Sequence, residues 1–221
     1  MPYRRTDNVA RKLAARHAAI LQAARDEAAE GGMAAVQIAA VAARAGIAAG
    51  TVYRYFPSKT ELIAALIAAL SEREIGELRR AAEAAPGPLS ALAAVIATFA
   101  ARAMRNRRLA WAISAEPADD GIEALRLDYR RALSGEFQAR IQAAVAGGHL
   151  PEQDAALSAR ALLGALLEGA IGPLAPAVGN DKAAEREAVQ MLTLLGLRTL
   201  GVLDARARGL VVQIVLPAQR H

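Results

Sequence analysis

The sequence predicts an all-α protein, and three observations support this fold class. Alanine dominates the composition and favours helix almost everywhere. β-branched residues are dispersed, so strand-like patterns are scarce. Glycine and proline fall at intervals that separate helix-length segments. The one strand-like run, residues 210–217, is expected to be extended, either paired with another segment or packed as a tail.

The first sixty residues predict three helices. The first covers about residues 8–30 and ends at a Gly-Gly pair. Four of its apolar residues fall roughly on one face: Val9, Leu13, Ile20 and Ala24. The second and third helices cover about residues 37–45 and 48–55, and Pro57 stops the third. Between them Gly46 gives the backbone freedom for a sharp turn.

A fourth helix begins after Ser58, with Glu61 three residues on. This spacing predicts a capping box, in which each side chain satisfies a free backbone N–H. A broad apolar face follows: Leu62, Ile63, Leu66, Ile67 and Leu70. A Pro-Gly-rich break at 84–88 ends the helix. We therefore expect an N-terminal domain of residues 1–57 that continues into the fourth helix, about 58–82, and a second domain of residues 83–221.

The second domain predicts five more helices separated by glycine and proline. They cover about residues 88–105, 107–115, 119–147, 153–172 and 182–202. We find no internal repeat.

The positive charge of the chain is concentrated at one end. The net charge is +5, and residues 1–60 hold nine basic and four acidic residues, which accounts for the whole excess. This segment also contains the two short helices and their glycine turn. A polyanion such as nucleic acid is the partner that this distribution favours.

Several classes of protein are disfavoured by the composition. The chain has no cysteine, which excludes disulfides and thiolate metal sites and is compatible with the cytoplasm. The most apolar run, residues 161–178, contains Glu168 and two prolines, so we expect a buried helix rather than a membrane span. No secretory signal is expected from the first residues. We expect no metal, cofactor or catalytic site, because the common catalytic motifs are missing from the sequence.

Two short helices joined by a glycine turn describe a helix-turn-helix, whose second helix enters the major groove of DNA. Residues 45–62 read AGIAAGTVYRYFPSKTEL. This segment resembles the TetR family of bacterial transcriptional repressors, whose pattern is similar to A-G-V-S-x-G-T-L-Y-x-H/Y-F-x-S/N-K-x-x-L. The resemblance covers roughly residues 8–70. It implies an all-α fold with an N-terminal three-helix helix-turn-helix DNA-binding domain and a C-terminal helical domain for ligand binding and dimerisation.

The resemblance also implies roles for single residues. Thr51, Tyr53, Tyr55 and Lys59 would contact phosphates of a double-stranded operator. Ala49, Gly50 and Arg54 would lie at or near base edges, and of these only Arg54 could make a bidentate contact to guanine. Two further residues, Arg4 and Arg5, are candidates for minor-groove or phosphate contacts, with a polar tail as the alternative.

This chain departs from the family pattern at the start of the recognition helix. Ala48 stands where serine is usual, so a cap worth about 1 kcal/mol is missing. Ala39 and Ala40 replace polar residues that can touch DNA. Sequence reading is therefore expected to depend on Arg54, on DNA shape and on the N-terminal arm.

For the second domain the resemblance implies a homodimer and a small-molecule effector whose identity the sequence does not give. Ligand-pocket candidates are Phe99, Met104, Trp111, Tyr129 and Phe137, with ordinary core packing as the alternative. Dimer-interface candidates on the last two long helices are Leu157, Leu163, Leu167, Glu168, Ile171, Leu192 and Leu195. Glu168 could pair with an arginine across the dimer or meet a cationic ligand.

The sequence therefore predicts a repressor that a small molecule releases from DNA. Three alternatives remain at this point: a dimeric ligand-binding protein that no longer reads DNA, a helical enzyme and a membrane protein. The alanines at positions 39, 40, 48 and 49 keep the first of these open.

Overall fold

The structure is a computed structural model that describes residues 3–117, 120–177 and 181–214, with side chains from residue 8 onward. This part of the chain forms ten α-helices. They are α1 Tyr3–Gly31, α2 Ile38–Arg44, α3 Ala49–Tyr55, α4 Lys59–Glu83, α5 Pro88–Arg105, α6 Arg107–Ser114, α7 Asp120–Ala146, α8 Ala155–Ala170, α9 Lys182–Thr199 and α10 Asp204–Gln213. A single 3-10 turn, Met33–Ala35, follows α1. The predicted all-α fold is confirmed, and α1 to α9 agree with the predicted helices to within a few residues.

The strand-like expectation for the C-terminal run is wrong over residues 210–213, which belong to α10. The remaining residues of that run, 215–217, lie outside the described part of the chain. α10 packs against α9 and α5 and buries Ala207 and Val211, which are one helical turn apart. This packing decides the conformation, because tertiary contacts override the weak strand preference of β-branched residues.

The predicted inner face of α1 is only half correct. Ile20 and Ala24 are fully buried, whereas Val9 and Leu13 are 53% and 50% exposed. Residues 8–19 of α1 are all exposed. The helical period continues through the sequence, but the rest of the domain covers only the second half of the helix.

The second domain is built around α5. Most of this helix is buried, and it contacts α4, α6, α7, α8, α9 and α10. α7 packs on α4 and α8, and α9 packs on α8. Within the described residues none of the helices combines the length and the hydrophobicity that crossing a membrane requires.

α4 is shared between the two parts of the molecule. It contacts α1 of the N-terminal part and packs extensively on α5 and α7. Its second half is tied to these helices by ion pairs, Glu74 with Arg102 on α5 and Arg79 with Glu136 on α7.

Candidate nucleic-acid interface

The turn between α2 and α3 is fixed by backbone hydrogen bonds around Gly46. The N–H of Gly46 donates to the Ala43 carbonyl at 3.1 Å, and the N–H of Ile47 donates to the Ala42 carbonyl at 3.0 Å. These two bonds form a Schellman motif, which needs a residue of positive φ at this position. Gly46 has φ +65, so the turn inferred from the sequence has a backbone conformation that favours glycine at this position.

α3 has one buried and one exposed face. Val52 and Phe56 are 0% and 4% exposed and anchor the helix to the core. The opposite face presents Ala49, Gly50, Tyr53 and Arg54 to solvent, while three other predicted contact residues are half-buried: Thr51, Tyr55 and Lys59. The structure therefore places the predicted residues of α3 on an accessible surface, and Tyr53 is 52% exposed.

The start of α4 lies directly after this surface. The Ser58 hydroxyl accepts the N–H of Glu61 at 3.1 Å, and it lies 3.4 Å from a carboxylate oxygen of Glu61. This is the predicted N-cap, although here Glu61 meets the serine side chain. Lys59 is the first residue of the helix. Its ammonium adds to the partial positive charge of the helix N-terminus, a combination that suits a phosphate.

By contrast, Ala48 caps α3 without a side-chain hydrogen bond, as the substitution of the usual serine predicts. The exposed start of the recognition helix consists of alanine and glycine, which can approach a base pair closely but have no side-chain hydrogen-bonding group. Arg4 and Arg5 lie within the first turns of α1, and their side chains are outside the described part of the chain.

Arg44 joins α2 to α1, because its guanidinium is hydrogen-bonded to two carboxylates of α1. Its guanidinium donates to Glu27 at 2.6 Å and to the two oxygens of Glu30 at 2.8 and 2.5 Å. These hydrogen bonds raise the pKa of Arg44 and lower the pKa of Glu30. This contact fixes the angle at which α2 and the following turn leave α1.

A second set of contacts joins the end of α1 to α6, and we call it the Gly32 latch. It consists of Gly31 to Met33 with Arg108 and Glu116. Arg108 donates to the Gly31 carbonyl at 2.9 Å, and the Glu116 carboxylate accepts the Met33 N–H at 3.1 Å. Gly32 has φ +75, and a Cβ there would lie 2.3 Å from Arg108 Nη2 and 2.7 Å from Glu116 Oε2. Only glycine fits between the two side chains in this geometry.

α6 is also held by Arg126 of α7. This arginine is 1% exposed, donates to the Ala112 carbonyl at 2.8 Å and pairs with Glu123 at 2.8 Å. α6 is therefore bonded both to a buried guanidinium of α7 and, through Arg108, to the end of α1. A displacement of α6 would reach the N-terminal domain through these bonds.

Three of the five predicted pocket residues lie in the core between α5 and α7. Phe99, Tyr129 and Phe137 are all at most 5% exposed, and the rings of Phe99 and Phe137 meet edge to face at 6.0 Å. Met104 and Trp111 are half-buried and pack at the margin of the core.

Sequence reasoning missed two charged residues that face the core, one on α4 and one on α7. Glu74 and Arg126 occupy inward positions of amphipathic helices, Glu74 in the series 63, 67, 70, 74, 78 and Arg126 in the series 122, 126, 129, 133, 137. A charged residue at the helical spacing of apolar residues indicates a buried charge, so both positions could have been found from the sequence. The Gly32 latch has no such signal, because its partners are 77 and 83 residues apart.

The predicted dimer residues divide into two groups. Leu157 and Leu195 are 62% and 48% exposed, Glu168 is exposed and Leu192 is half-buried. Leu163, Leu167 and Ile171 are instead buried within one protomer, at 4%, 8% and 8% exposure. They leave little exposed area for contact between copies, so their place in a dimer interface stays a prediction. α8 is apolar on most sides, and its sequence alone does not separate the two faces.

Comparison with known proteins agrees with this geometry. A sequence model described as "Bacterial regulatory proteins, tetR family" matches residues 20–66, which include α2, α3 and the start of α4. The HTH-type transcriptional repressor KstR of Mycolicibacterium smegmatis is 39% identical over 95 residues, or 43% of this chain. The match covers 47% of that repressor, so the chain spans about half the length of the curated relative.

The likeness to solved structures extends over nearly the whole chain. RolR in complex with resorcinol aligns with a TM-score of 0.64 at 21% identity, covering 95% of this chain and 98% of RolR. The fatty acid degradation regulator FadR of Bacillus halodurans aligns with a TM-score of 0.70 at 17% identity, covering 85% of this chain and 97% of FadR. Residues 20–66 are thus similar to the bacterial regulatory proteins of the tetR family, and the chain has the fold of the regulators RolR and FadR.

Proposed function

We propose that this protein is a DNA-binding transcriptional repressor that acts as a homodimer in the cytoplasm and leaves its operator when a small molecule binds the second domain. The observation that carries the proposal is the exposed face of α3 beside the capped start of α4. One matched relative is named a transcriptional repressor, which supports the direction of the effect. We take residues 1–57 with the first part of α4 as the DNA-binding domain and 83–221 as the ligand-binding and dimerisation domain.

The DNA contacts follow from the exposed surface. Tyr53 and Lys59, with Thr51 and Tyr55 beside them, bind phosphates and hold α3 in the major groove. Arg54 is the side chain that reads a base, because its guanidinium can donate two hydrogen bonds to guanine. Ala49 and Gly50 allow the helix to approach the base pairs closely. Arg4 and Arg5 extend the positive surface along the DNA from the start of α1.

The dimer uses the apolar side chains that the protomer leaves exposed on α8 and α9. These side chains are Leu157 of α8 and Leu195 of α9. Met191 is also among them, since it is 59% exposed and lies one turn before Leu195 on α9. α8 and α9 pack against each other, so their outer faces form a continuous surface. A symmetric pair of such surfaces buries these residues and places two DNA-binding domains on successive major grooves.

Release from DNA depends on α6. The effector binds in the second domain, shifts α6, and the Gly32 latch transmits the shift to the end of α1. The bonds of Arg108 and Glu116 to the backbone at Gly31 and Met33 support this route, since they join the two domains directly. One solved structure with the same fold is described as a complex with resorcinol, which supports a small organic effector.

A second candidate function is that of a dimeric ligand-binding protein that has lost sequence-specific DNA reading. It is favoured by the exposed Ala39 and Ala49, by Ala48 at the N-cap and by the half-buried Ala40, since none of these can donate or accept a side-chain hydrogen bond.

Selection from a random double-stranded DNA library separates the two functions. For the repressor we expect an enriched palindromic site, and binding to it should weaken steeply as the salt concentration rises. Fluorescence anisotropy with the enriched site and with a scrambled duplex of the same length gives the specificity ratio. Equal affinity for the two duplexes would refute sequence-specific repression and leave the second candidate.

A further inference from the structure

Three polar side chains meet where α4, α5 and α7 pack together. They are Glu74 of α4, Arg102 of α5 and Tyr129 of α7, and each helix contacts the other two. The side chains of Glu74 and Arg102 are 13% and 22% exposed, and Tyr129 is 5% exposed. A carboxylate, a guanidinium and a phenol therefore lie where the three helices pack together.

The hydrogen bonds within this cluster are incomplete. Arg102 Nε donates to Glu74 Oε2 at 2.7 Å, and Arg102 Nη1 lies 4.0 Å from Glu77 Oε1. The other carboxylate oxygen of Glu74, Oε1, is buried and has no hydrogen-bond partner among the residues that the structure describes. Buried polar atoms in folded proteins nearly always have a partner, so an orphaned carboxylate oxygen points to a missing group.

Burial controls the protonation of the cluster. Desolvation raises the pKa of Glu74 against the opposing effect of Arg102. Burial, followed by the nearby charge of Glu74, raises the pKa of Tyr129 well above its usual value. Tyr129 therefore remains a neutral hydroxyl at physiological pH. Arg102 is engaged by Glu74, and the buried atom of the cluster that lacks a partner is Glu74 Oε1, which accepts hydrogen bonds when the carboxyl group is ionised.

An aromatic pair continues the same helix faces. Phe99 lies one turn before Arg102 on α5, and Phe137 lies two turns after Tyr129 on α7, about 5 and 12 Å along the helix axes. The two rings touch edge to face at 6.0 Å. The packed interface of α4, α5 and α7 is thus polar at Glu74 and apolar at the phenylalanines.

We propose that Glu74 anchors the effector through its free oxygen, and that the effector is an apolar molecule with one hydrogen-bond donor, a hydroxyl or a protonated amine. The donor binds Glu74 Oε1, and the apolar body lies against Phe99 and Phe137. A carboxylate effector is disfavoured, because it would meet the oxygens of Glu74 and Glu77 while Arg102 is already engaged. This inference rests on the proposed function, whose effector it specifies.

Three eight-carbon probes test this chemistry: 1-octanol, octylamine and octanoate. Binding is followed by thermal shift and by the fluorescence of Trp111, the single tryptophan of the chain. We expect 1-octanol or octylamine to bind at least about tenfold more tightly than octanoate, and the preferred member of the pair identifies the donor. Equal or tighter binding of octanoate, or no binding by any probe up to its solubility limit, would overturn the proposal.

Two variants assign the effect to Glu74. Glu74→Gln should remove the discrimination between donor and carboxylate probes, whereas Glu72→Gln, on the exposed side of the same helix, should keep it. If circular dichroism shows that Glu74→Gln does not fold, Glu74→Asp replaces it, since aspartate keeps the charge on a shorter side chain. Glu74→Asp should bind the donor probe more weakly than the wild type and should bind octanoate with unchanged affinity. A Glu74 variant with the discrimination of the wild type would refute the anchor.

The failure of this proposal can be distinguished from that of the proposed function. Operator binding is measured by anisotropy with each probe present. If the DNA-binding site is sequence-specific but the probes show no donor preference, the anchor is wrong and the repressor stands. If the donor preference is present but no specific DNA binding exists, the anchor stands and the repressor is wrong.

Discussion

Replacing Gly32 by alanine should destabilise the protein through two separate effects, and two other glycines allow them to be measured apart. The first effect is backbone strain, since Gly32 has φ +75. With ψ −172 as well, Gly32 lies in a backbone region that is almost confined to glycine and costs a residue with a Cβ about 1–3 kcal/mol. The second is contact, because the new Cβ would lie 2.3 Å from Arg108 Nη2 and 2.7 Å from Glu116 Oε2.

The contact is relieved by moving Arg108 and Glu116 away, which breaks the Gly32 latch. Two charge-assisted hydrogen bonds to backbone are then lost, each worth about 1.5–3 kcal/mol when buried. Arg108 is 48% exposed on its side chain and Glu116 is 16% exposed, so we discount this for solvent and expect about 1–3 kcal/mol from the latch. The total decrease in the free energy of unfolding is then about 2–6 kcal/mol for Gly32→Ala.

Gly46 and Gly50 supply the controls. Gly46 has φ +65 but no heavy atom within 4 Å of a Cβ, so Gly46→Ala should show the strain alone, about 1–2 kcal/mol. Gly50 lies in the first turn of α3 with neither strain nor contact, and Gly50→Ala should be neutral or stabilise by up to about 1 kcal/mol. Urea denaturation followed by circular dichroism at 222 nm gives all three values. If Gly32→Ala costs no more than Gly46→Ala, the latch contributes nothing.

Three further predictions concern DNA and assembly. Lys59→Ala should weaken binding to all duplexes alike and reduce the salt slope of the dimer by about 2, whereas Lys182→Ala, at the matching first position of α9, should not; a changed site preference would contradict a phosphate role. Arg54→Ala should relax base preference at one position of each half-site with a loss of about 1–3 kcal/mol, and an unchanged selected motif would remove it from base reading. Leu195→Glu should give a folded monomer in light scattering, while Leu127→Glu, equally exposed at 48% on α7, should remain dimeric; a dimeric Leu195→Glu would place the interface elsewhere.

The elements that the sequence predicted correctly are those set by local chemistry. Gly46 marks a turn because only a positive φ closes it, and Ser58 marks a helix start because its hydroxyl caps it. The errors lie where distant segments decide. Residues 210–213 belong to α10 because α5 and α9 cover this helix, and Val9 remained exposed because none of the described residues covers that part of α1.

The candidate site divides in the same way. The face of α3 follows from the position of Val52 and Phe56 in the helical period, so its exposed residues could be inferred. The bonds of Arg108 and Glu116 join segments that are far apart in sequence, and no local pattern indicates them. Buried Glu74 had a signal, a carboxylate in an apolar register, but its partner Arg102 appears only when α4 and α5 are packed together.

The shared position of α4 limits how the molecule can be taken apart. Leu62, Ile63 and Leu66 are almost completely buried, and the family match that includes α2 and α3 extends to residue 66. A fragment cut at residue 57 would lack these three side chains and would expose the apolar surface beneath them. A chimera that exchanges the second domain with that of a related protein should therefore be joined in the middle of α4. A junction there keeps the helix continuous, so the two domains keep their relative orientation.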